Sequence, residues 1–490
     1  MNRKLKTYLP FLLAIIPSGT FAAEPITVVG WPEPDTLIGE PPLYLGNDPV
    51  LGRLACPPLT RLNLEKKSSE GLVLRDIVTS NNGKTWLIKL RDGIYWWDET
   101  EVKAADVIDF FNQNLEKVIA DLSIGLWKTP KFTITKLTEY QFKIQWQSKP
   151  SFGPFVFNGI PFYEKSKKNR LGYQCAGLYK IETTSNNGIT LNSNDGYRFT
   201  KPSITFLNSE TPAPPKAIKF KSSSGFYGSP WQRLSDTAIH CPTIDGANFS
   251  ILKWNLNAKH INKAEVRKAL TSLTPRGALL RSGSGDLGDL TSFPVPRSHP
   301  GYNRALKVRP FNSNAASSTL EKLGFHRKDP QANRKTPNGG DFNLKLSAVG
   351  QTSGLLEKVL IDAFAAVGIT TTVESKTDEL DGYIVGISSE WPHANFIKAW
   401  HSKSPSKNKY ISFDHNDQRL NQLLESYSLE LTTKQPNFSL LQKIHQKFYD
   451  LEPYSILVQH KNCIEIPKSV KEHMHSINYS NPDWFREIIF

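Results

Sequence analysis

The chain has 490 residues, a formal net charge of +14 at pH 7 and 39% hydrophobic residues. That length exceeds what one core fills and suits two large units, and the apolar content excludes a disordered chain. Its Lys and Arg are scattered rather than gathered in a dense block, so the charge reads as a solvated basic surface and no nucleic-acid partner is expected.

The chain opens with an export pattern. Arg3, Lys4 and Lys6 precede an apolar run over 9–16, and small residues around Ala22 and Ala23 offer a cleavage site. This predicts a secretory signal peptide over residues 1–23, too short to span a membrane. No cysteine stands at the cleavage position, so no lipid anchor is expected, and no later apolar stretch approaches bilayer length. The expected product is an exported protein with three fewer positive charges. In that compartment Cys56, Cys175, Cys241 and Cys463 permit two disulfides, in three possible pairings. None lies in a C-x-x-C arrangement, which leaves zinc or redox chemistry unsupported.

After a first strand near residue 26, the spacing predicts a hairpin: a strand over 73–80, Asn82-Gly83 as the turn, then a strand on which Trp86, Ile88 and Leu90 share one face. Arg91-Asp92-Gly93 breaks that run. A short aromatic strand is expected over 95–97, ending at Asp98. Val107, Ile108, Phe111, Leu115 and Val118 then recur at helical spacing. Tyr140, Phe142, Ile144 and Trp146 alternate as a further strand.

Leu90, Arg91, Gly93, Asp98, Ala105, Asp106 and Val107 fall in the order of a pattern written LR-x-G-x-x-FHDG-x-x-x-x-A-x-DV. That pattern resembles the signature of family 5 solute-binding proteins, the dipeptide and oligopeptide receptors of bacterial ABC importers. Here Glu99 stands where the family has Gly, and Trp97 where it has His. The stretch over 54–62 resembles the family's helix–YEGL–strand segment, with Cys-Pro-Pro in place of Tyr-Glu-Gly. Cys175-Ala176-Gly177-Leu178-Tyr179-Lys180 resembles its G-T-G-P-Y-K.

Further on, Trp254-Asn255-Leu256-Asn257 followed by Val266-Arg267-Lys268-Ala269-Leu270 resembles the point where the family's chain crosses into its second lobe. Asn262 and Glu265 predict a capping box for this helix. Residues 342–346, the helix of Leu356, Val359, Leu360, Ala363, Phe364 and Val367 stopped by Gly368, and residues 369–373 predict a β–α–β unit with parallel strands. A strand over 380–386 follows. Leu420, Leu423, Leu424, Tyr427 and Leu431 mark one helix and Leu440, Leu441, Ile444 and Phe448 another. A strand over 455–459 then returns towards the first lobe.

The resemblance implies an α/β, bilobal periplasmic-binding-protein-like fold of type II, with two mixed-sheet lobes joined by hinge strands. Lobe I is expected over 24–250 with an inserted subdomain at about 60–165, lobe II over 251–461, and a C-terminal return to lobe I over 462–490. It implies a periplasmic, monomeric receptor that binds a peptide or similar small polar solute in the interlobe cleft and hands it to an ABC permease in the inner membrane. The alternative is a sensing or chaperone-like bilobal protein that binds a non-peptide solute such as a metal chelate, without transport.

By the same resemblance the ligand-binding residues are Trp127, Trp254, Asn255, Tyr383, Ser388, Ser389, Glu390 and Trp391. Peptide-binding members pair an aspartate in the second lobe with the ligand's amino group. Ser388 or Ser389 holds that place here, with Glu390 adjacent. An ammonium desolvated without a counter-charge is costly, so either Glu390 substitutes or the ligand is not an ordinary free-amino peptide.

Enzymatic readings lack support. There is no G-x-S-x-G elbow and no H-E-x-x-H, and no cofactor or resident metal is expected. Gly283-x-Gly285-x-x-Gly288 has dinucleotide-binding spacing but follows a helix, so it reads as a loop. His473 and His475 read as surface residues. His393 and His401, near Trp391, form a pair that a metal chelate could use.

Overall fold

The computed structural model describes residues 25–29, 54–123, 126–165, 171–185, 188–197, 202–207, 217–222, 243–283, 288–349, 354–374, 380–388, 399–404 and 411–465. Residues 1–23, where a signal peptide is expected, Cys241, Ser389 to Trp391, His393, His473, His475 and the tail beyond 465 lie outside them.

β1 (Ile26–Val29) is followed by the β2 (Thr60–Asn63) and β3 (Ser68–Gly71) hairpin, then β4 (Leu74–Ser80) and β5 (Thr85–Leu90). Ser80 faces Thr85, and Asn81, Asn82 and Gly83 between them all take positive φ, which Asn and Gly tolerate best. The expected turn is therefore a longer loop centred on the same Asn-Gly. Trp86, Ile88 and Leu90 are all buried, as their alternation requires.

α1 (Ala104–Ser123) lays Val107, Phe111, Leu115 and Val118 on this sheet. Asp106 accepts the Lys103 amide at 2.6 Å, reaching back across the first turn as a capping acid does. β6 (Phe132–Thr138) and β7 (Gln141–Trp146) complete an antiparallel sheet in the order β4-β5-β7-β6. The aromatic stretch 95–97 is not a strand. It forms a turn held by one bridge, Tyr95 to Glu101, and by Trp96 and Thr100. Glu99 takes φ +70° in that turn, which explains why glycine suits the position in the family pattern.

β8 (Tyr163–Lys165) pairs with β9 (Tyr173–Cys175), and β10 (Tyr179–Ser185), β11 (Gly188–Ser193), β12 (Ile204–Leu207) and β13 (Ile218–Ser222) follow. Cys56 is bonded to Cys175, Cα to Cα 4.9 Å, inside the core that Val28, Trp97, Tyr173 and Phe206 share. Each of the two family-like segments thus carries, at a position where it departs from the family's residues, one half of this disulfide.

The chain then leaves along β14 (Thr243–Trp254) and returns along β19 (Tyr454–Glu465). Between them lie α2 (Ala264–Leu273), α3 (Arg276–Gly283), β15 (Gly288–Asp289), α4 (Ser313–Lys322), β16 (Asn343–Ala348), α5 (Gly354–Ala365), β17 (Thr370–Val373), β18 (Gly382–Ser388), α6 (Gln418–Glu430) and α7 (Phe438–Leu451). The expected parallel pair is present as β16 beside β17. The capping box is not formed. Lys263 is the α2 N-cap and makes no side-chain cap, while the Arg267 guanidinium takes the Ile261 and Asn262 carbonyls at 2.6 and 2.7 Å.

The longest hydrogen-bonded path runs β10-β11-β12-β1-β13-β19-β14-β18-β16-β17. It holds two parallel blocks, β12-β1-β13 and β18-β16-β17, on either side of the antiparallel pair β19-β14. Two cores clothe the second block. Leu252 and Trp254 face one, with α2 and α5; Phe249 and Ile251 face the other, with α6 and α7. This is a mixed α/β fold with parallel blocks covered by helices, as such sheets require.

Candidate functional site

Strand direction marks a candidate site. β19 runs antiparallel to β13 with Asn462 facing Ser222, and antiparallel to β14 with Gln459 facing Phe249. β18 in turn runs antiparallel to β14 with Ser388 facing Asn248. The carboxyl ends of both parallel blocks therefore point at each other, separated along β19 by little more than His460 and Lys461. Ligands of open α/β sheets bind outside such carboxyl ends.

Polar side chains gather on the strands that bridge these two edges. Ser250 Oγ lies 2.8 Å from His460 Nε2, both side chains buried. β15 pairs with β19 at Gln459 and His460, and places Asp289 within 2.9 Å of Lys461 Nζ. Ser388 ends β18 beside Asn248, and Ser389, Glu390 and Trp391 lie outside the described residues.

Four expected site residues are placed elsewhere. Trp127 is 8% exposed and stacks on Phe152 at 5.8 Å, so it packs the subdomain core. Trp254 has no exposed surface, and its indole N–H donates to Ser455 Oγ at 2.9 Å. Asn255 spends its side chain on a turn, donating to the Leu380 carbonyl and accepting from the Asn257 amide. Tyr383 faces Lys253 at the amino end of β18, ~16 Å of strand from Ser388. Trp254, Asn255 and Tyr383 thus share the edge opposite the crevice. His401 is buried, with Nε2 2.9 Å from Glu425 Oε1 and Nδ1 accepting from the Lys403 amide. Among the described residues no cluster of three or more His, Cys, Asp or Glu could hold a metal ion.

Sequence reasoning missed Ser250, His460, Lys461 and Asp289. Their signal is pairing register, visible only once β14 and β19 are known to run side by side.

The two halves also meet at a second place. The turn joining α6 to α7 presents carbonyls that have no partner within the helix. Lys434 O accepts from Ser69 N at 2.7 Å, Thr433 O from Ser69 Oγ at 2.9 Å, Thr432 O from Phe155 N at 2.8 Å and Leu431 O from Asn158 Nδ2 at 2.9 Å. Gly153 N donates to Thr432 Oγ1 at 2.6 Å, and a Cβ on Gly153 would lie 2.5 Å from Thr432 O.

The chain matches the family model "Bacterial extracellular solute-binding proteins, family 5 Middle" over residues 69–415. It is 24% identical over 283 residues to the oligopeptide-binding protein OppA of Bacillus subtilis (strain 168), a match covering 49% of this chain and 51% of that protein. The match thus spans about half the length of that relative. Among solved structures it resembles NikA from Brucella suis in complex with Fe(III)-EDTA, at TM-score 0.70 and 14% identity over 94% of this chain and 99% of that one. It also resembles AppA from Bacillus subtilis in complex with a nonapeptide, at TM-score 0.65 and 15% identity over 95% and 98%. These likenesses show the bilobal binding-protein fold.

Proposed function

We infer the function from one premise: this chain belongs to the bacterial extracellular solute-binding proteins, family 5. It serves as the substrate-binding component of an ABC importer, captures a peptide or similar small polar solute, and delivers it to a permease in the inner membrane. It acts in the periplasm, as a monomer, by binding and without turnover. Residues 24–250, with a subdomain at about 60–165, form lobe I; residues 251–461 form lobe II; 462–490 return to lobe I. The pairing of β13 with the end of β19 supports that return.

The observation that carries this reading is the pair of opposed carboxyl edges across β14 and β19. A ligand touching both edges favours the closed arrangement by its differential contacts, which is all a receptor needs. Two ligand classes are supported, since AppA was solved with a nonapeptide and NikA with Fe(III)-EDTA. A peptide is the first reading, with Glu390 as the counter-charge to its amino group and Trp391 stacking on it.

Titration calorimetry of wild type and Glu390→Gln against a peptide panel tests this. The substitution should weaken cationic peptides by roughly 2–5 kcal/mol, because it strands a buried charge. Equal affinities would remove Glu390 from the site, and a failure of both proteins to bind any peptide would favour the chelate. Small-angle scattering should show compaction on loading. An unchanged radius with tight binding would count against closure, and formation of a product would point to an enzyme.

A further inference from the structure

We propose that a cavity of about 620 Å³ between the β2–β3 hairpin, the start of β4 and the α6–α7 turn is a second binding site, for a small multivalent anion. It is distinct from the crevice by topology. Ala176, Leu178 and Tyr197 line it, and they flank Tyr179 and Ser193, which face each other at the ends of β10 and β11. β11 runs antiparallel to β12 with Leu191 facing Ile204, so that end lies beside the amino edge of the first parallel block. The crevice lies at the carboxyl edge.

The volume falls within the range of small-molecule pockets, and the charge of the lining selects the ligand. Arg61, Lys66, Arg75, Arg91 and Lys434 face it against two acids, Glu70 and Asp76. Glu70 is already satisfied, by Arg61 at 3.2 Å, Lys66 at 2.8 Å and Asn63 at 3.2 Å. Asp76 accepts the neighbouring Ile77 amide at 2.9 Å. Arg91 gives one N–H to Gly71 O at 3.2 Å and keeps the rest of its fork. Among the described residues no ion pair engages Arg75, Arg91 or Lys434. A guanidinium fork suits a phosphoryl or carboxylate group, and several cations around one cavity suit an anion with more than one such group. Leu72, Ile94, Phe155 and Leu178 supply an apolar floor, which suits a small organic anion better than a lone ion.

The site also joins two parts of the molecule. Lys434 comes from the α6–α7 turn and the other cations from the subdomain, and the Lys434 carbonyl is held by the Ser69 amide. An anion between Arg91 and Lys434 would strengthen that docking.

Isothermal titration calorimetry of the exported chain against pyrophosphate, citrate and inorganic phosphate, at matched ionic strength, tests the proposal. Saturable binding of pyrophosphate or citrate is expected, with inorganic phosphate weaker, and the tighter ligand tells phosphoryl from carboxylate recognition. Arg91→Gln combined with Lys434→Gln should weaken that binding by about tenfold or more. Glu390→Gln should leave it unchanged, which separates this site from the crevice. No saturable heat from wild type with any of the three overturns the proposal, as does wild-type affinity in the double variant. If the double variant fails to fold, hydrogen exchange on wild type decides. Slower exchange at the Ser69 amide with the anion present supports the site, and unchanged exchange rejects it.

Discussion

The two halves of this protein meet in two ways, and the contrast divides the molecule into a part that must hold and a part that can let go. Along β14 and β19 the contact is a ladder running from Thr243 beside Cys463 to Lys253 beside Tyr454, continuous with both blocks. Its side chains anchor it in two cores, through Trp254 on one face and Ile251 on the other. At the α6–α7 turn the contact is a handful of hydrogen bonds to the end of a helix, each worth only about 0.5–1.5 kcal/mol net. Breaking the ladder means unfolding the protein. Breaking the docked turn means only that water replaces a few protein donors. Relative motion of the halves should therefore flex the first contact and release the second.

The sharpest break of this contrast is Trp254→Ala. Deleting a fully buried indole and its bond to Ser455 should cost about 3–5 kcal/mol of global stability in urea unfolding. A loss under about 1 kcal/mol would mean the crossing strands are not the anchor argued here.

The next effect concerns acid. His299 and His445 are buried among the aromatic side chains of the core that α6 and α7 cover, and burial pushes each imidazole down to about 3. Unfolded, each titrates near its ordinary value, so between about pH 6.5 and 3 the unfolded chain binds more protons than the folded one. Their contribution is present above pH 6.5 and is lost as pH falls towards 3. Stability should drop by an amount on the order of a few kcal/mol between pH 7 and pH 4, and His445→Asn should flatten that slope. A variant with the wild-type slope would show that His445 does not report acid unfolding.

The smallest effect is expected at the docked turn. Gly153→Val drives a side chain into the Thr432 carbonyl and should cost about 1–3 kcal/mol. The two contacts predict different readouts. Trp254→Ala should shift global unfolding, whereas Gly153→Val should mainly raise hydrogen exchange at Ser69 and Phe155 and enlarge the unliganded radius. Equal protection of those amides in Gly153→Val and wild type would defeat the idea that this contact is the releasable one.

Much of the fold was legible because it follows from local period. The alternation of Trp86, Ile88 and Leu90, the helical stripe from Val107 to Val118, and the unit from β16 through α5 to β17 each appear where the spacing puts them. The misread elements involve competition between near neighbours. Residues 95–97 look like a strand by composition, but Thr100 and Glu101 fold back on Trp96 and Tyr95 before a ladder can form. Asn262 and Glu265 have capping-box spacing, but the Arg267 guanidinium, held by the carbonyls of Leu451 and Glu452, already occupies the helix entrance.

By itself, the sequence marked the elements with a clear hydrophobic period: the strand from Trp86, the helix to Val118, the β16–α5–β17 unit and the stripes of α6 and α7. It could do so because period and turn chemistry act over a few residues; the class of the fold came from the family resemblance around Leu90 to Val107. Only the tertiary structure decided which aromatic residues are core and which strand edges oppose each other. Trp254 and Tyr383 look like ligand walls in one dimension, yet register puts them at the far edge of the second block, while it brings His460 beside Ser250 from 210 residues away. The pairing of Cys56 with Cys175 across 119 residues was open for the same reason. Contacts between distant segments depend on strand direction and register, which the whole packed sheet sets and no local window contains.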